Sequence, residues 1–249
     1  MSEPTDGGAA LSPIDPRIHP QGDHCLIVEL GDRVDPVFNA RARALAAHLL
    51  EHPLPGVRDV VPAFTTVAVH YDPSAWWQPP GPEMPWHGIA RALSVALGRT
   101  KFGRRETGRV VDIPVCYGGD FGPDLEEVAG ARGLTTDDVI RLHATEAHFV
   151  YMIGFAPGHP YIGGLDRKLV MPRRTTPRVK VAMGSVAIAR ELTAIYPIDS
   201  PGGWNVIGRT PLRLFLPEQD PPCLLAAGDR VRFVPVSPQA FAQAVTAPA

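Results

Sequence analysis

The chain has 249 residues, of which 45% are hydrophobic and 20% are charged, a composition typical of a globular protein. Its 24 lysines and arginines against 26 aspartates and glutamates leave a net charge of −2, which does not favour nucleic acid or an anionic membrane as a partner. Glycine and proline, at 24 and 28 residues, make up roughly a fifth of the chain, so we expect many turns and short strands rather than a helical bundle.

The N-terminal segment and the cysteines give no sign of secretion. Residues 1–20 have neither a basic start nor a continuous apolar run, so they predict a flexible tail and no signal peptide. The three cysteines lie far apart without a Cys-x-x-Cys pair, which predicts neither a disulfide framework nor a zinc site. No window approaches the roughly 18 apolar residues that a membrane helix needs. Together these features predict a cytoplasmic protein.

The first half of the chain alternates strand and helix patterns. The apolar run CLIVEL predicts a buried strand at residues 25–30, and Pro36 opens a helical pattern that Pro53 stops. Two further strands are predicted at residues 57–61 and 66–71, and a second helix at residues 86–97. The order strand, helix, strand, strand, helix predicts a ferredoxin-like α+β domain over residues 21–108, ending in a basic, glycine-punctuated junction.

The second half begins with mixed elements and continues as short strands. A strand is predicted at residues 110–117, followed by a helix that begins at Pro123 and another whose start carries the capping-box pair Thr135 and Asp138. From Phe149 onward, apolar runs alternate with Gly/Pro turns about every ten residues: FVYMIGF, SVAIA, TAIYPI, LRLFL and RVRFVPV. This rhythm predicts a β-barrel or sandwich domain over residues 109–238, with residues 239–249 as a tail.

Two short motifs resemble metal and nucleotide sites but lack the required context. His48, Glu51 and His52 match H-x-x-E-H, yet Pro53 follows at once and no third ligand is evident, so we interpret them as a solvated helix face. Residues 203–210 imitate a phosphate loop, but the following PLRLFL alternates as a strand where such a loop needs a helix. We therefore predict no metal site and no Walker loop in this chain.

Residues 149–178 are the most informative stretch. An aromatic and glycine-rich segment, FVYMIGFAPGHPYIGGLD, is followed by a group of cations with one nearby acid, Asp166. The cations are Arg167, Lys168, Arg173, Arg174, Arg178 and Lys180. Guanidinium groups suit carboxylates and phosphates, so the stretch is a candidate site for an anionic ligand or a partner. The alternative is a charged edge strand that discourages aggregation, and His143 is either an acid/base group or a structural histidine.

Several segments together resemble one family. They are IPVCYGGDFGPDLEEVA, VIRLHAT, VYMIGFAPGHPYIGGLD, MPRRTTPRVKVAMGSVAIA and IYPIDSPGGWNVIGRTPLRLF. These motifs closely resemble the B subunit of bacterial 5-oxoprolinase, a family also known as allophanate hydrolase subunit 1, carboxyltransferase-domain subunit 1 or the Kip inhibitor of a sporulation kinase. The resemblance covers residues 21–238.

The resemblance implies a fold and an activity. The fold is a small N-terminal α+β domain followed by a cyclophilin-like β-barrel. The activity is that of a hydrolase component, inactive alone, which acts with a homologous barrel-type C subunit and an A subunit to convert 5-oxo-L-proline to L-glutamate using ATP bound by the complex. Two alternatives remain open within the family: an inhibitory binding protein of a sensor histidine kinase, and a carboxyltransferase component that acts on a urea-like substrate.

The resemblance also implies a set of cleft residues, in which we expect the arginines to bind anions and the aromatic residues to shape the pocket. They are His143, Tyr151, Phe155, Pro160, Arg173, Arg174, Arg178, Ser185, Trp204 and Arg209. Two positions depart from the pattern of similar proteins: His159, where an aromatic or apolar residue is usual, and Met183, where alanine is common. We expect His159 to add a titratable group to the cleft.

Overall fold

The chain forms two compact units, residues 1–103 and 104–249. The computed structural model describes residues 16–77, 83–102, 108–145 and 148–246. Within these residues, no helix is both long enough and apolar enough to cross a membrane. The predicted mixture of α and β structure, with a barrel in the second half, is confirmed.

The first unit is an antiparallel sheet with two helices. Its elements are β1 (Arg17–Pro20), β2 (Cys25–Glu29), α1 (Pro36–Glu51), β3 (Val57–Pro62), β4 (Thr66–Tyr71) and α2 (Pro85–Arg99). The strands lie in the order β1-β2-β4-β3. The carboxylate of Asp35 caps α1 by accepting a hydrogen bond from the Val37 N–H, and Pro36 occupies the first turn, where its missing N–H costs nothing. The predicted element order is present, and β1 adds an edge strand within the segment expected to be a tail.

The second unit contains a closed seven-stranded barrel. Its strands are β5 (Val110–Tyr117), β6 (His148–Ile153), β7 (Pro160–Gly163), β9 (Ser185–Ala189), β10 (Leu192–Ile195), β12 (Asn205–Arg209) and β13 (Arg230–Pro235). They pair in the order β10-β7-β6-β13-β5-β12-β9, and β9 closes the barrel on β10. A separate two-stranded ribbon is formed by β8 (Arg178–Val181) and β11 (Ser200–Gly202). The α-helices in the described part of the unit are α3 (Leu125–Arg132), α4 (Thr136–Ala144) and α5 (Pro238–Thr246).

Two sequence-based expectations differ from the structure in this unit. The run LRLFL does not form a barrel strand: around it there is only an isolated bridge between Phe215 and Cys223, in a segment where Pro211 and Pro217 lack the N–H that a strand ladder needs. The predicted C-terminal tail from residue 239 is largely helical, since α5 extends to Thr246. Residues 103–107 of the predicted junction lie outside the described residues.

Alternation along the barrel strands separates two packed faces. Ile162, Ile188 and Ile195 point into the main core, to which residues of α3 and α4 also contribute. Their sequence neighbours on the same strands point the other way, because successive residues of a strand face opposite sides. This second face holds a smaller core that includes Ala187 and Ala194, against which Tyr161 packs. The two faces carry different sets of candidate functional residues.

Candidate functional site

Four rings lie together on the second face of the barrel sheet, and we call them the aromatic cluster: His159, Tyr161, Tyr196 and Trp204. The His159 ring centroid lies 5.1 Å from that of Tyr161 and 5.6 Å from that of Tyr196, and Tyr161 lies 6.2 Å from Trp204. Tyr196 and Trp204 belong to the same buried core as Ala187 and Ala194. Edge-to-face contacts of this kind favour a fixed arrangement of the rings.

His159 is the imidazole of the aromatic cluster. Its side chain is 4% exposed, and its Nδ1 atom has no hydrogen-bond partner among the described residues. Burial lowers the pKa of His159 from 6.5 to about 4, because the charged imidazolium would lose its hydration. The ring is therefore neutral at physiological pH, with one nitrogen that donates a hydrogen bond and one that accepts.

Arg173 lies at the edge of the aromatic cluster. Its guanidinium carbon is 5.8 Å from the centroid of the Trp204 ring, the geometry of a cation–π contact. Within the described parts of the chain, no carboxylate lies within ion-pairing distance of Arg173. Among the candidate arginines, Arg173 therefore combines exposure, a position beside aromatic rings and an uncommitted positive charge.

Arg174 and Arg178 form ion pairs with a buried acid of the same unit. Both donate to Asp124, a carboxylate that is 2% exposed: Arg174 at 2.9 Å, and Arg178 through two bonds at 2.6 and 2.8 Å. The Val206 N–H donates to the same carboxylate at 2.7 Å, and Arg174 also pairs with Glu127 at 2.8 Å. The expectation that Asp166 is the only acid near these cations is therefore corrected, because the fold brings Asp124 to them across about fifty residues of sequence. In this arrangement they hold residues 167–180, which we call the basic segment, in place.

His143 lies on the other face of the sheet, in the interior of the unit. Its ring is fully buried and stacks on Phe233. Its Nδ1 is 2.7 Å from the Tyr117 hydroxyl and its Nε2 is 3.2 Å from the Thr193 hydroxyl. Burial lowers the pKa of His143 well below its usual value, with a smaller contribution from His148. The structure does not bring His143 to the aromatic cluster, and its satisfied hydrogen bonds match the structural alternative.

Three further candidates lie next to residues of the aromatic cluster. Phe155 contacts the His159 ring at 5.5 Å and is 75% exposed, while Pro160 begins β7 next to His159. Ser185 is buried at the start of β9, and its carbonyl accepts the Tyr196 N–H at 3.0 Å.

Tyr151 and Arg209 are the last two candidates. Tyr151 packs over Gly163 and against Phe149 at 5.1 Å. Arg209 Nε donates to the Met183 carbonyl at 2.8 Å and so stabilises the turn before β9.

The segment that resembles a phosphate loop does not have the structure of one. Residues 205–209 of the phosphate-loop look-alike are strand β12, and no helix follows them directly. Arg174 and Arg178 pair with Asp124, so Arg173 is the one of these three arginines that can pair with an external anion. No group of three or more potential metal ligands occurs in the part of the chain that the structure describes.

Sequence reasoning missed Asp124, Tyr161 and Tyr196. In the sequence Asp124 predicts only the beginning of a helix, and its partners are at least 50 positions away. Tyr161 and Tyr196 fit strand patterns, and the available signal is their position in GHPY and IYPI, immediately beside turns. Aromatic residues at strand ends next to glycine and proline are placed to face a loop-lined site.

Comparison with known proteins gives consistent matches over most of the chain. The family described as carboxyltransferase domain, subdomain C and D, matches residues 16–225. The chain is 42% identical over 223 residues to the 5-oxoprolinase B subunit of Bacillus subtilis, covering 89% of this chain and 93% of that protein. It is 50% identical over 127 residues to the 5-oxoprolinase B subunit of Escherichia coli O157:H7, covering 51% of this chain and 58% of that protein.

A solved structure shows the same fold at substantial identity. The crystal structure of TTHA0988 matches with a TM-score of 0.72 and 37% identity, covering 86% of this chain and 40% of that one. This chain thus corresponds to less than half of that longer protein. Since the family match extends over most of the sequence and the B. subtilis protein aligns over nearly its full length, the chain belongs to the family of the carboxyltransferase domain, subdomain C and D, together with relatives named as the B subunit of 5-oxoprolinase.

Proposed function

We propose that this chain is the B subunit of an ATP-dependent 5-oxoprolinase, which hydrolyses 5-oxo-L-proline to L-glutamate together with a homologous barrel-type C subunit and an A subunit. The observation that carries the proposal is the 42% identity to a protein named as a 5-oxoprolinase B subunit, over 93% of that protein's length. The proposal includes a cytoplasmic location, inactivity of the chain in isolation, a ferredoxin-like first unit and a cyclophilin-like barrel.

The aromatic cluster suits the substrate of this reaction. 5-Oxo-L-proline is a flat five-membered lactam that carries one carboxylate. The rings of Tyr161 and Trp204 offer apolar faces to such a ring, and the uncommitted guanidinium of Arg173 lies directly beside Trp204. A charged hydrogen bond between Arg173 and the carboxylate contributes about 1.5–3 kcal/mol to binding. Arg174 and Arg178 act as positioning residues, because they fix the segment that carries Arg173.

ATP is part of the proposed reaction and is bound by the assembled complex. Opening an unstrained lactam near neutral pH needs coupling to ATP, which supplies the driving force for the hydrolysis. The contribution we assign to the described residues of this chain is binding and orientation of the lactam.

The proposal is tested by reconstitution. This chain is co-expressed with its candidate A and C subunits, the assembly is isolated through a tag on this chain, and glutamate release from 5-oxo-L-proline is measured with and without ATP. We expect release only from the assembly and only with ATP. Co-purification with a histidine kinase or a biotin-dependent carboxylase, without glutamate release, would instead favour one of the two alternatives.

Substitution of Arg173 tests the location of the site. In the assembly, Arg173→Ala should raise KM for 5-oxo-L-proline by roughly 10- to 100-fold, because the carboxylate loses its charged partner. Arg167→Ala is the matched control, since Arg167 is also an exposed arginine of the basic segment and lacks a side-chain partner among the described residues. Equal KM values for the two variants would place the carboxylate elsewhere.

A further inference from the structure

His159 is an unusual residue for the place it occupies. A buried polar atom without a hydrogen bond costs about 1–3 kcal/mol, so such atoms are rare unless they serve a purpose. The side chain of His159 is only 4% exposed, and its Nδ1 atom is without a partner among the described residues, although a phenylalanine would fill the same space at no such cost. The backbone of His159 is satisfied, because its N–H donates to the Ala156 carbonyl and its carbonyl accepts the Gly154 N–H. The unmet hydrogen bond belongs to the side chain alone.

The loop that carries His159 also holds a strained residue. Phe155 has a φ of 74°, a left-handed conformation that is uncommon for a residue with a bulky side chain. Its ring nevertheless remains 75% exposed and in contact with His159. Backbone strain that holds an aromatic ring in solvent is found preferentially at ligand sites. Phe155 therefore lies on the solvent side of the His159 ring.

The groups around the imidazole select for an uncharged hydrogen-bonding ligand group. The rings of Phe155, Tyr161 and Tyr196 surround it, and Arg173 lies against another ring of the cluster, Trp204. A neutral imidazole next to aromatic rings bonds best to another neutral group, because a charged group would lose its hydration there. An amide matches this environment because it is neutral and both donates and accepts.

We propose that His159 is a specificity-determining residue, whose Nδ1 forms a hydrogen bond with the amide group of a small cyclic amide while Arg173 holds the carboxylate of the same molecule. His159 contacts the Tyr161 ring, Tyr161 contacts the Trp204 ring, and Arg173 lies against Trp204, so both groups border the aromatic cluster. The inference rests on the proposed function for the identity of the ligand. It adds, in this chain, a hydrogen bond to the amide that the aromatic or apolar residue usual at this position does not make.

The test compares two ligands and three proteins. Binding of 5-oxo-L-proline and of cyclopentanecarboxylate, which keeps the ring and the carboxylate but lacks the amide, is measured by calorimetry on the assembly. His159→Phe should weaken the binding of 5-oxo-L-proline about tenfold and leave the binding of cyclopentanecarboxylate unchanged. His159→Asn places an amide near the position of Nδ1 and should recover part of the preference. A general packing defect would weaken both ligands equally, and that result would overturn the inference.

A spectroscopic measurement locates the bond on the histidine itself. In the full-length chain with ¹⁵N-labelled histidine, the Nδ1 resonance of His159 is identified as the one that is missing from the spectrum of His159→Phe. Addition of 5-oxo-L-proline should shift this resonance, and addition of cyclopentanecarboxylate should not. Binding without that shift would overturn the role of His159. If the assembly releases glutamate with the same KM in wild type and His159→Phe, this inference fails while the proposed function stands. If no glutamate is released from any assembly, the proposed function fails.

Discussion

Asp124 is a carboxylate almost without solvent contact, and its bonds organise the surroundings of the candidate site. It accepts from Arg174, from both terminal nitrogens of Arg178 and from the Val206 N–H. Removing a carboxylate from water is costly, and this cost is offset only when charged donors and hydrogen bonds surround it completely. The same bonds tie the basic segment and β12 to the start of α3, so the position of Arg173 depends on an acid outside the aromatic cluster.

Substitution of Asp124 should be among the most damaging single changes in the chain. Asp124→Asn keeps the size of the side chain but leaves two guanidinium groups without their shared counter-ion, so we expect a loss of about 3 kcal/mol in the free energy of unfolding. Urea denaturation followed by circular dichroism measures it. Glu127→Gln is the matched control, because Glu127 pairs with the same Arg174 but is largely exposed, and its loss should cost about 0.5 kcal/mol. Similar costs for the two variants would show that burial does not govern this network.

At this scale, the sequence is informative about residue types but not about partners. The composition of the basic segment marks it as unusual, yet which of its arginines are free depends on Asp124, which the fold brings close from a distant helix start. His143 is a candidate because of its position just before the aromatic loop and because of the resemblance. Its spacing of four from Val139, on the apolar face of α4, is the local signal that its ring points inward with that face.

At the scale of elements, the turn between β8 and β9 connects the ribbon to the barrel. Gly184 lies in this turn with a φ of 81°, its N–H donates to the Tyr196 carbonyl at 2.7 Å, and its carbonyl accepts the Thr210 N–H at 2.9 Å. It thus joins the end of β10 to the end of β12. The position of Tyr196 in the aromatic cluster follows from this three-way junction.

A side chain at Gly184 should disrupt the junction. In Gly184→Ala the new Cβ would collide with the Thr210 carbonyl oxygen and would also require an unfavourable left-handed conformation. We expect a loss of about 2 kcal/mol or more in stability and weaker ligand binding at the aromatic cluster. Gly130→Ala, within α3 and with open space around its Cβ, should instead be neutral or stabilise by up to about 1 kcal/mol. Thermal unfolding of both variants is the measurement, and a harmless Gly184→Ala would contradict this account.

Elements with local signals could be predicted from the sequence, and those fixed by distant pairing could not. The helix α1 begins at Pro36 and ends at Glu51, two residues before Pro53, and the capping box of Thr135 and Asp138 is formed as expected. The run LRLFL has the alternation of a strand, but the barrel closes without it, through the pairing of β9 with β10 and β12. Periodicity shows that a segment can be a strand, whereas only the complete set of partners decides whether it becomes one.

At the scale of the whole molecule, the two units have separate hydrophobic cores. The core of the first unit is built from α1, α2 and the strands of the four-stranded sheet. The main core of the second unit is built from the barrel strands with α3 and α4. No residue is shared between these two clusters among the described residues. Independent cores are the physical requirement for domains that fold separately.

Separate expression of the second unit tests this independence. The fragment 104–249 should unfold in one cooperative transition, because its barrel leaves no unpaired strand edge and Asp124, Arg174 and Arg178 all lie within it. Near-ultraviolet circular dichroism should report ordered aromatic side chains, since the whole aromatic cluster belongs to this unit. A fragment that keeps its far-ultraviolet signal but loses the near-ultraviolet signal and binds a hydrophobic dye would be a molten globule. That outcome would mean that the barrel needs the first unit to fix its packing, and the aromatic cluster could not be a preformed site of the second unit alone.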